Sequence, residues 1–92
     1  MTDVKATLAE RGARYGQFKD HAKLCQSLKY TMIRTDGWDL CDADQREALE
    51  MIAHKIARVL NGDSHYIDNW VDIAGYATLV ADRLEEDKQG DA

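Results

Sequence analysis

Apolar residues return every three or four positions along most of this chain, a period that lines them up on one side of a helix. From Gln17 to about Arg34 the stripe is Phe18, Ala22, Cys25, Leu28 and Met32, with Lys29 set among them. From Asp42 to Leu60 it is Leu49, Ile52, Ala53, Ile56, Val59 and Leu60. From Tyr66 to Glu86 it is Ile67, Trp70, Ile73, Ala74, Ala77, Val80, Ala81 and Leu84. A shorter helix is expected over Asp3–Glu10, capped by Thr2 and carrying Val4 and Leu8 on its apolar edge.

The breaks between these stripes fall on Gly and Asx residues, since the chain has no proline. Gly12 and Gly16 bracket Ala13-Arg14-Tyr15 and suggest a basic, aromatic loop. Thr35–Cys41, with Asp36-Gly37 and Trp38, has no sustained period and reads as a connecting loop with an aromatic anchor. Asp42 followed by Gln45 has capping-box spacing and starts the next helix. Asn61-Gly62 supplies a left-handed stop, and the few residues from Gly62 to His65 fold the last helix back as an antiparallel neighbour. Gly75, inside that helix, suggests close packing or room for a ligand, and residues 87–92 form a polar tail expected to fray. The expectation is all-α: one domain over residues 1–92, a small bundle of about four helices built on the hairpin of Asp42–Leu60 and Tyr66–Glu86. A 92-residue chain buries a modest share of its surface, so homo-oligomerisation is expected to complete it.

Charge narrows the partners. Seventeen acidic against 12 basic residues give a net charge of -5, which repels a phosphate backbone and argues against polymeric DNA or RNA. No segment is apolar enough to span a membrane and the start, Met1-Thr2-Asp3-Val4-Lys5, lacks a signal-peptide layout, so a cytoplasmic protein is expected. Cys25 and Cys41 read as free thiols. His21, His54 and His65 show no zinc-ligand spacing and suit surface or capping roles; Trp38 and Trp70 suit core or interface anchors. No nucleophile motif surrounds Ser27, Ser64 or the cysteines, so no catalytic residue is assigned.

Two sets of polar residues carry the candidate chemistry. Glu47 and Glu50 on one arm of the hairpin, with Asn69 and Asp72 on the other, offer the oxygen ligands that Mg²⁺ prefers. On two faces set opposite the apolar stripes, Glu47, Glu50, His54 and Arg58, and Asp68, Asp72 and Arg83, are equally explained as solvated surface. Met51, Tyr76 and Leu79 share those faces and give them the mixed character of an oligomer contact or ligand wall. Arg11, Arg14, Tyr15, Lys29, Lys55, Arg58 and Tyr76 form a candidate ligand-binding set, with cations for phosphate and tyrosine for a base. Lys55 and Arg58 are equally able to pair with carboxylates across the hairpin.

The two acidic pairs on consecutive helices resemble the MazG-type all-α NTP pyrophosphohydrolases, whose ExxE and ExxD are matched by Glu47, Glu50 and Asp72 but not by Asn69. A closer resemblance, from Glu10 to about Leu84, is to a family of small phage and prophage proteins of unassigned function. It rests on Arg14-Tyr15-Gly16, Lys55-Ile56-Ala57-Arg58 and the run Asn69-Trp70-Val71-Asp72-Ile73-Ala74-Gly75-Tyr76-Ala77. The second resemblance implies a phage protein; the incomplete acidic motif, the basic-aromatic Arg14-Tyr15 and the small size suggest that it binds a nucleotide or cyclic nucleotide, with no certain cofactor, and sequesters a host defence signal. The alternatives are a Mg²⁺-dependent pyrophosphohydrolase and an inhibitor that occupies a host enzyme through the Tyr76 and Leu79 face.

Overall fold

The computed structural model describes residues 3–90, which form α1 (Val4–Tyr15), α2 (Phe18–Ile33), α3 (Asp36–Leu40), α4 (Ala43–Asn61) and α5 (Ile67–Gly90), with no strand among them. The all-helical expectation stands, while several boundaries move. The Thr2 cap lies outside the described residues; Asp3 caps α1 instead, accepting from the backbone N–H groups of Lys5 and Ala6. Helix α1 continues through Gly12 to Tyr15, so the expected loop is helical. A Glu10–Arg14 ion pair of 2.6 Å supports its last turn, and Gly16 ends it at φ 78°. The expected Thr35–Cys41 loop contains α3. Thr35 Oγ1 accepts from the Trp38 N–H, and Arg46 donates to the carbonyls of Trp38 and Asp39 at 3.0 and 3.1 Å.

Helix α4 starts with the expected capping box, Gln45 accepting from the Asp42 N–H at 2.7 Å. It does not end in a left-handed glycine, because Gly62 has φ −137°. The requirement at Gly62 is proximity rather than conformation. A Cβ there would overlap the backbone of Arg14 and Tyr15, and one at Gly16 would overlap the Asn61 carbonyl. Two loops thus cross glycine against glycine. Asp63 N–H donates to the Arg14 carbonyl at 2.6 Å, and Asn61 Nδ2 donates to the carbonyls of Tyr15 and Gln17 at 2.9 and 3.1 Å. At the other end α5 runs to Gly90 instead of fraying at Asp87, which Arg83 holds at 2.8 Å; residues 91–92 of the expected tail lie outside the described residues.

Helix α4 is central, with α2 on one side and α5 on the other. The buried apolar residues are Cys25, Ala48, Ala53, Ala57 and Val59, and the largest fully buried side chain is Asn69. The apolar stripes read from the sequence are therefore rotated partly outward. Helix α5 turns Asn69, Asp72, Ile73, Tyr76, Val80 and Arg83 inward, while Ile67, Trp70, Ala74, Ala77, Ala81 and Leu84 are exposed. On α4, Leu49, Ile56 and Leu60 are exposed as well. Leu49 and Ala77 share the rim of one apolar notch of about 250 Å³. The exposed stripes of the two helices thus meet in a single apolar face. The reason for the rotation lies in the ion pairs. Lys55 meets Asp72 at 2.8 Å, and Arg83 clasps Asp42 and Asp44 at 2.9 and 2.6 Å, which locks the polar sides of α4 and α5 together.

Candidate functional site

Where α1, the start of α2 and the C-terminal half of α4 converge, they enclose a pocket of about 500 Å³. Leu8, Arg11, Gly12 and Tyr15 come from α1; Gly16 and Gln17 form the turn; Phe18 and His21 come from α2; His54 and Arg58 come from α4. The glycine crossing sets this geometry, because it brings the end of α1 against the end of α4. The Arg58 guanidinium lies 4.1 Å from the centre of the Tyr15 ring, near enough for a cation–π contact. Arg14 turns away from the pocket. It binds Glu10, sits 4.8 Å over the Tyr66 ring and donates to the Tyr66 hydroxyl at 3.1 Å, and that hydroxyl donates to Asp68 at 2.9 Å.

At the inner wall, His21 and His54 meet edge to face with centroids 4.6 Å apart. Cys25 follows His21 by one helical turn, and the ligand atoms of His21, Cys25 and His54 all lie within 4.8 Å of one another. This corrects the expectation that the histidines and cysteines have no metal-ligand arrangement. The i, i+4 pair on α2 is completed by a residue from α4, and the packing of the two helices supplies what linear spacing does not show. His21 and Cys25 are 5% and 4% exposed, so His21 has no surface role; His65, with a side chain 95% exposed, keeps one. Burial, followed by the Arg58 charge, pushes His54 down to about 4. Burial and Arg58 lower His21 as well. Both rings are neutral near pH 7, the state in which an imidazole nitrogen offers a lone pair.

The residues expected to hold Mg²⁺ are placed differently. Asp72 is engaged by Lys55, Asn69 is buried between α4 and α5 with its Nδ2 unpartnered, Glu47 is exposed and Glu50 is half-buried. Among the described residues, Glu47, Glu50 and Asp72 do not form a cluster at ligand distance. Of the expected ligand-binding set, Arg11, Tyr15 and Arg58 come together in the pocket. Lys29 is half-buried on α2 near the histidines; Lys55 and Tyr76 belong to the α4–α5 contact. Leu8, Phe18, His21 and His54 are pocket residues that the sequence did not single out. The recurrence of Phe18, His21 and Cys25 on one side of α2 was the available signal.

The Lys55–Asp72 pair has a measurable consequence. Lys55 is 9% exposed, and Asp72→Asn leaves its ammonium without a counter-charge. Breaking a fully buried pair costs about 3–5 kcal/mol; with the Asp72 side chain 45% exposed, a loss of about 1–3 kcal/mol is expected. Thermal melting of Asp72→Asn should show it, and Lys55→Met/Asp72→Asn should recover much of the loss by removing the stranded charge. An unshifted melting temperature in Asp72→Asn would mean that the pair contributes nothing.

These features define an all-helical domain with a cation-walled pocket on one side and an uncovered apolar face on two of its helices. The chain belongs to the family described as Domain of unknown function (DUF6378), whose model matches residues 2–84. No curated protein and no solved structure matches it. No helix among the described residues is long and apolar enough to cross a membrane.

Proposed function

We propose that this protein binds a nucleotide or cyclic nucleotide in the pocket between α1, α2 and α4. The observation that carries the reading is the Arg58 guanidinium held over Tyr15, 4.1 Å from the ring centre, on the wall of a pocket of about 500 Å³. That volume lies within the range of about 300–1,000 Å³ usual for small-molecule sites. Arg58 and Arg11 supply two cations for phosphate oxygens, and Arg offers the planar fork that fits them. Tyr15 and Phe18 supply aromatic faces for a base, and Leu8 an apolar wall. The rest of the proposal is that the ligand is a host defence signal held without being cleaved; Asn69, which stands where the acidic motif would need a carboxylate, supports holding over cleavage, and the phage context rests on the resemblance.

Calorimetry against a panel of nucleotides and cyclic dinucleotides tests it. Binding at micromolar concentration is expected, with Arg58→Gln and Tyr15→Ala each weakening it at least tenfold. If no member of the panel binds in that range, the reading fails. Release of pyrophosphate from a dNTP with Mg²⁺ would favour the pyrophosphohydrolase alternative, which has less support because Lys55 already neutralises Asp72. Inhibition of a host enzyme through Tyr76 and Leu79 has less support too, since Tyr76 is half-buried toward α4.

The proposal includes self-association of the hairpin made by α4 and α5. What supports it is the apolar face formed by Leu49, Ile56 and Leu60 with Trp70, Ala77 and Leu84, all of which are exposed in the single chain.

A further inference from the structure

We infer that His21, Cys25 and His54 form a three-ligand site for a soft divalent cation of the Zn²⁺ class, with a fourth position open toward the pocket. Neutral imidazole and thiolate are the ligand types that Zn²⁺ selects, at about 2.0–2.1 Å for nitrogen and 2.3 Å for sulfur. Four-coordinate geometry at those lengths separates the ligand atoms by roughly 3.3–3.8 Å. Here the atoms lie within 4.8 Å of one another, so modest side-chain rotation closes the set around an ion. His21 and Cys25 are held in register by one turn of α2, and His54 arrives from the adjoining helix, an arrangement that needs no rebuilding of the backbone.

A second observation is independent of the cluster. His21 is 5% exposed, lines the pocket, and its Nδ1 has no hydrogen-bond partner. A buried nitrogen left unpartnered is destabilising, so such an atom calls for an explanation. An edge-to-face pair of neutral histidines accounts for the rings but leaves this atom unexplained. A bound ion gives it a partner.

Charge sets the remaining requirement. Arg58 and Lys29 act on these histidines and oppose a bare dication. Binding expels the Cys25 thiol proton to solvent, so thiolate cancels one charge, and an anion in the fourth position cancels the other. Because His21 and His54 both line the pocket, that fourth ligand comes from the pocket side, as hydroxide or as an oxygen of a bound phosphate. The metal site stands without the nucleotide reading, and it is testable without any nucleotide.

The whole chain, stripped with chelator and kept reduced, is titrated with Co²⁺ as an optical probe and then with Zn²⁺. The expected result is one equivalent of Co²⁺ bound with a thiolate-to-cobalt charge-transfer band and the strong visible bands of four-coordination, both bleached by one equivalent of Zn²⁺. Cys25→Ser should abolish the charge-transfer band, Cys41→Ser should keep it, and His54→Gln should weaken Co²⁺ binding at least tenfold. Circular dichroism checks folding; if Cys25→Ser does not fold, the wild-type titration with Cys41→Ser and His54→Gln decides. Absence of the charge-transfer band, its loss in Cys41→Ser, or unchanged affinity in His54→Gln would overturn the site.

Discussion

Gly16→Ala should lower the melting temperature by about 10 °C or more, or leave the chain unfolded, an effect out of proportion to one methyl group. Two penalties coincide at this position. The backbone sits at φ 78° and ψ −166°, a region essentially reserved for glycine where a side chain costs about 1–3 kcal/mol, and that Cβ would overlap the Asn61 carbonyl. Overpacking adds about 1–3 kcal/mol, and about 4–8 °C of melting temperature goes with each kcal/mol in a domain of this size. Gly62→Ala carries only the second penalty, since its φ of −137° is open to other residues, but the atoms it meets are backbone of Arg14 and Tyr15 and do not rotate aside. Gly75→Ala is the control. Nothing lies within 4 Å of a Cβ there, so no neighbour within the chain requires glycine at this position. It should be neutral or stabilise by up to about 1 kcal/mol. Calorimetric melting of the three variants checks the order, and a Gly16→Ala protein melting within a few degrees of wild type would show that the two loops do not cross as described. The pocket should respond too, because the same crossing sets Tyr15 beside Arg58.

The parts of this fold legible in the sequence were those decided locally. The helical period over Gln17–Arg34 and the capping box at Asp42 and Gln45 each depend on residues within a few positions, and both are present. Arg11, Tyr15 and Arg58 were singled out from residue type alone and do share a pocket. What was not legible depends on rotation of one helix against another. A helix with apolar residues over a wide arc and a few charges elsewhere has more than one way to face its neighbour. The outcome here turns on Lys55 finding Asp72 and Arg83 finding Asp42 and Asp44, contacts between residues far apart in sequence. The His21, Cys25 and His54 cluster was hidden for the same reason: two members share a helix turn, and the third joins only when α2 and α4 are packed. Gly12 misled because a glycine inside a helix weakens it without ending it, and the Glu10–Arg14 pair and the cap at Gly16 carry the helix past it.

The same rotation leads to the second large effect. The wild-type protein should run as a dimer or larger assembly, and Ile56→Glu/Trp70→Glu should drive it to monomer with a marked loss of thermal stability. Among the described residues the buried apolar set is only three alanines, a cysteine and a valine, so much of the apolar surface of one chain still meets solvent. Meanwhile Ile56, Leu60, Trp70 and Leu84 are 36%, 68%, 53% and 43% exposed. Trp70 is anchored rather than loose, its indole N–H donating to the Ser64 carbonyl at 2.9 Å while the ring flank faces outward. Side chains of this kind make the centre of interfaces, and stable complexes typically bury roughly 1,200–2,000 Å². A second copy is the natural occupant because exposed apolar residues run along both helices of the face, which can then pack against the same face of another chain. Light scattering coupled to size exclusion gives the mass directly. Asp20→Lys, an exposed charge change on α2, should leave that mass unchanged, and a wild-type chain that stays monomeric at micromolar concentration would rule out the self-association.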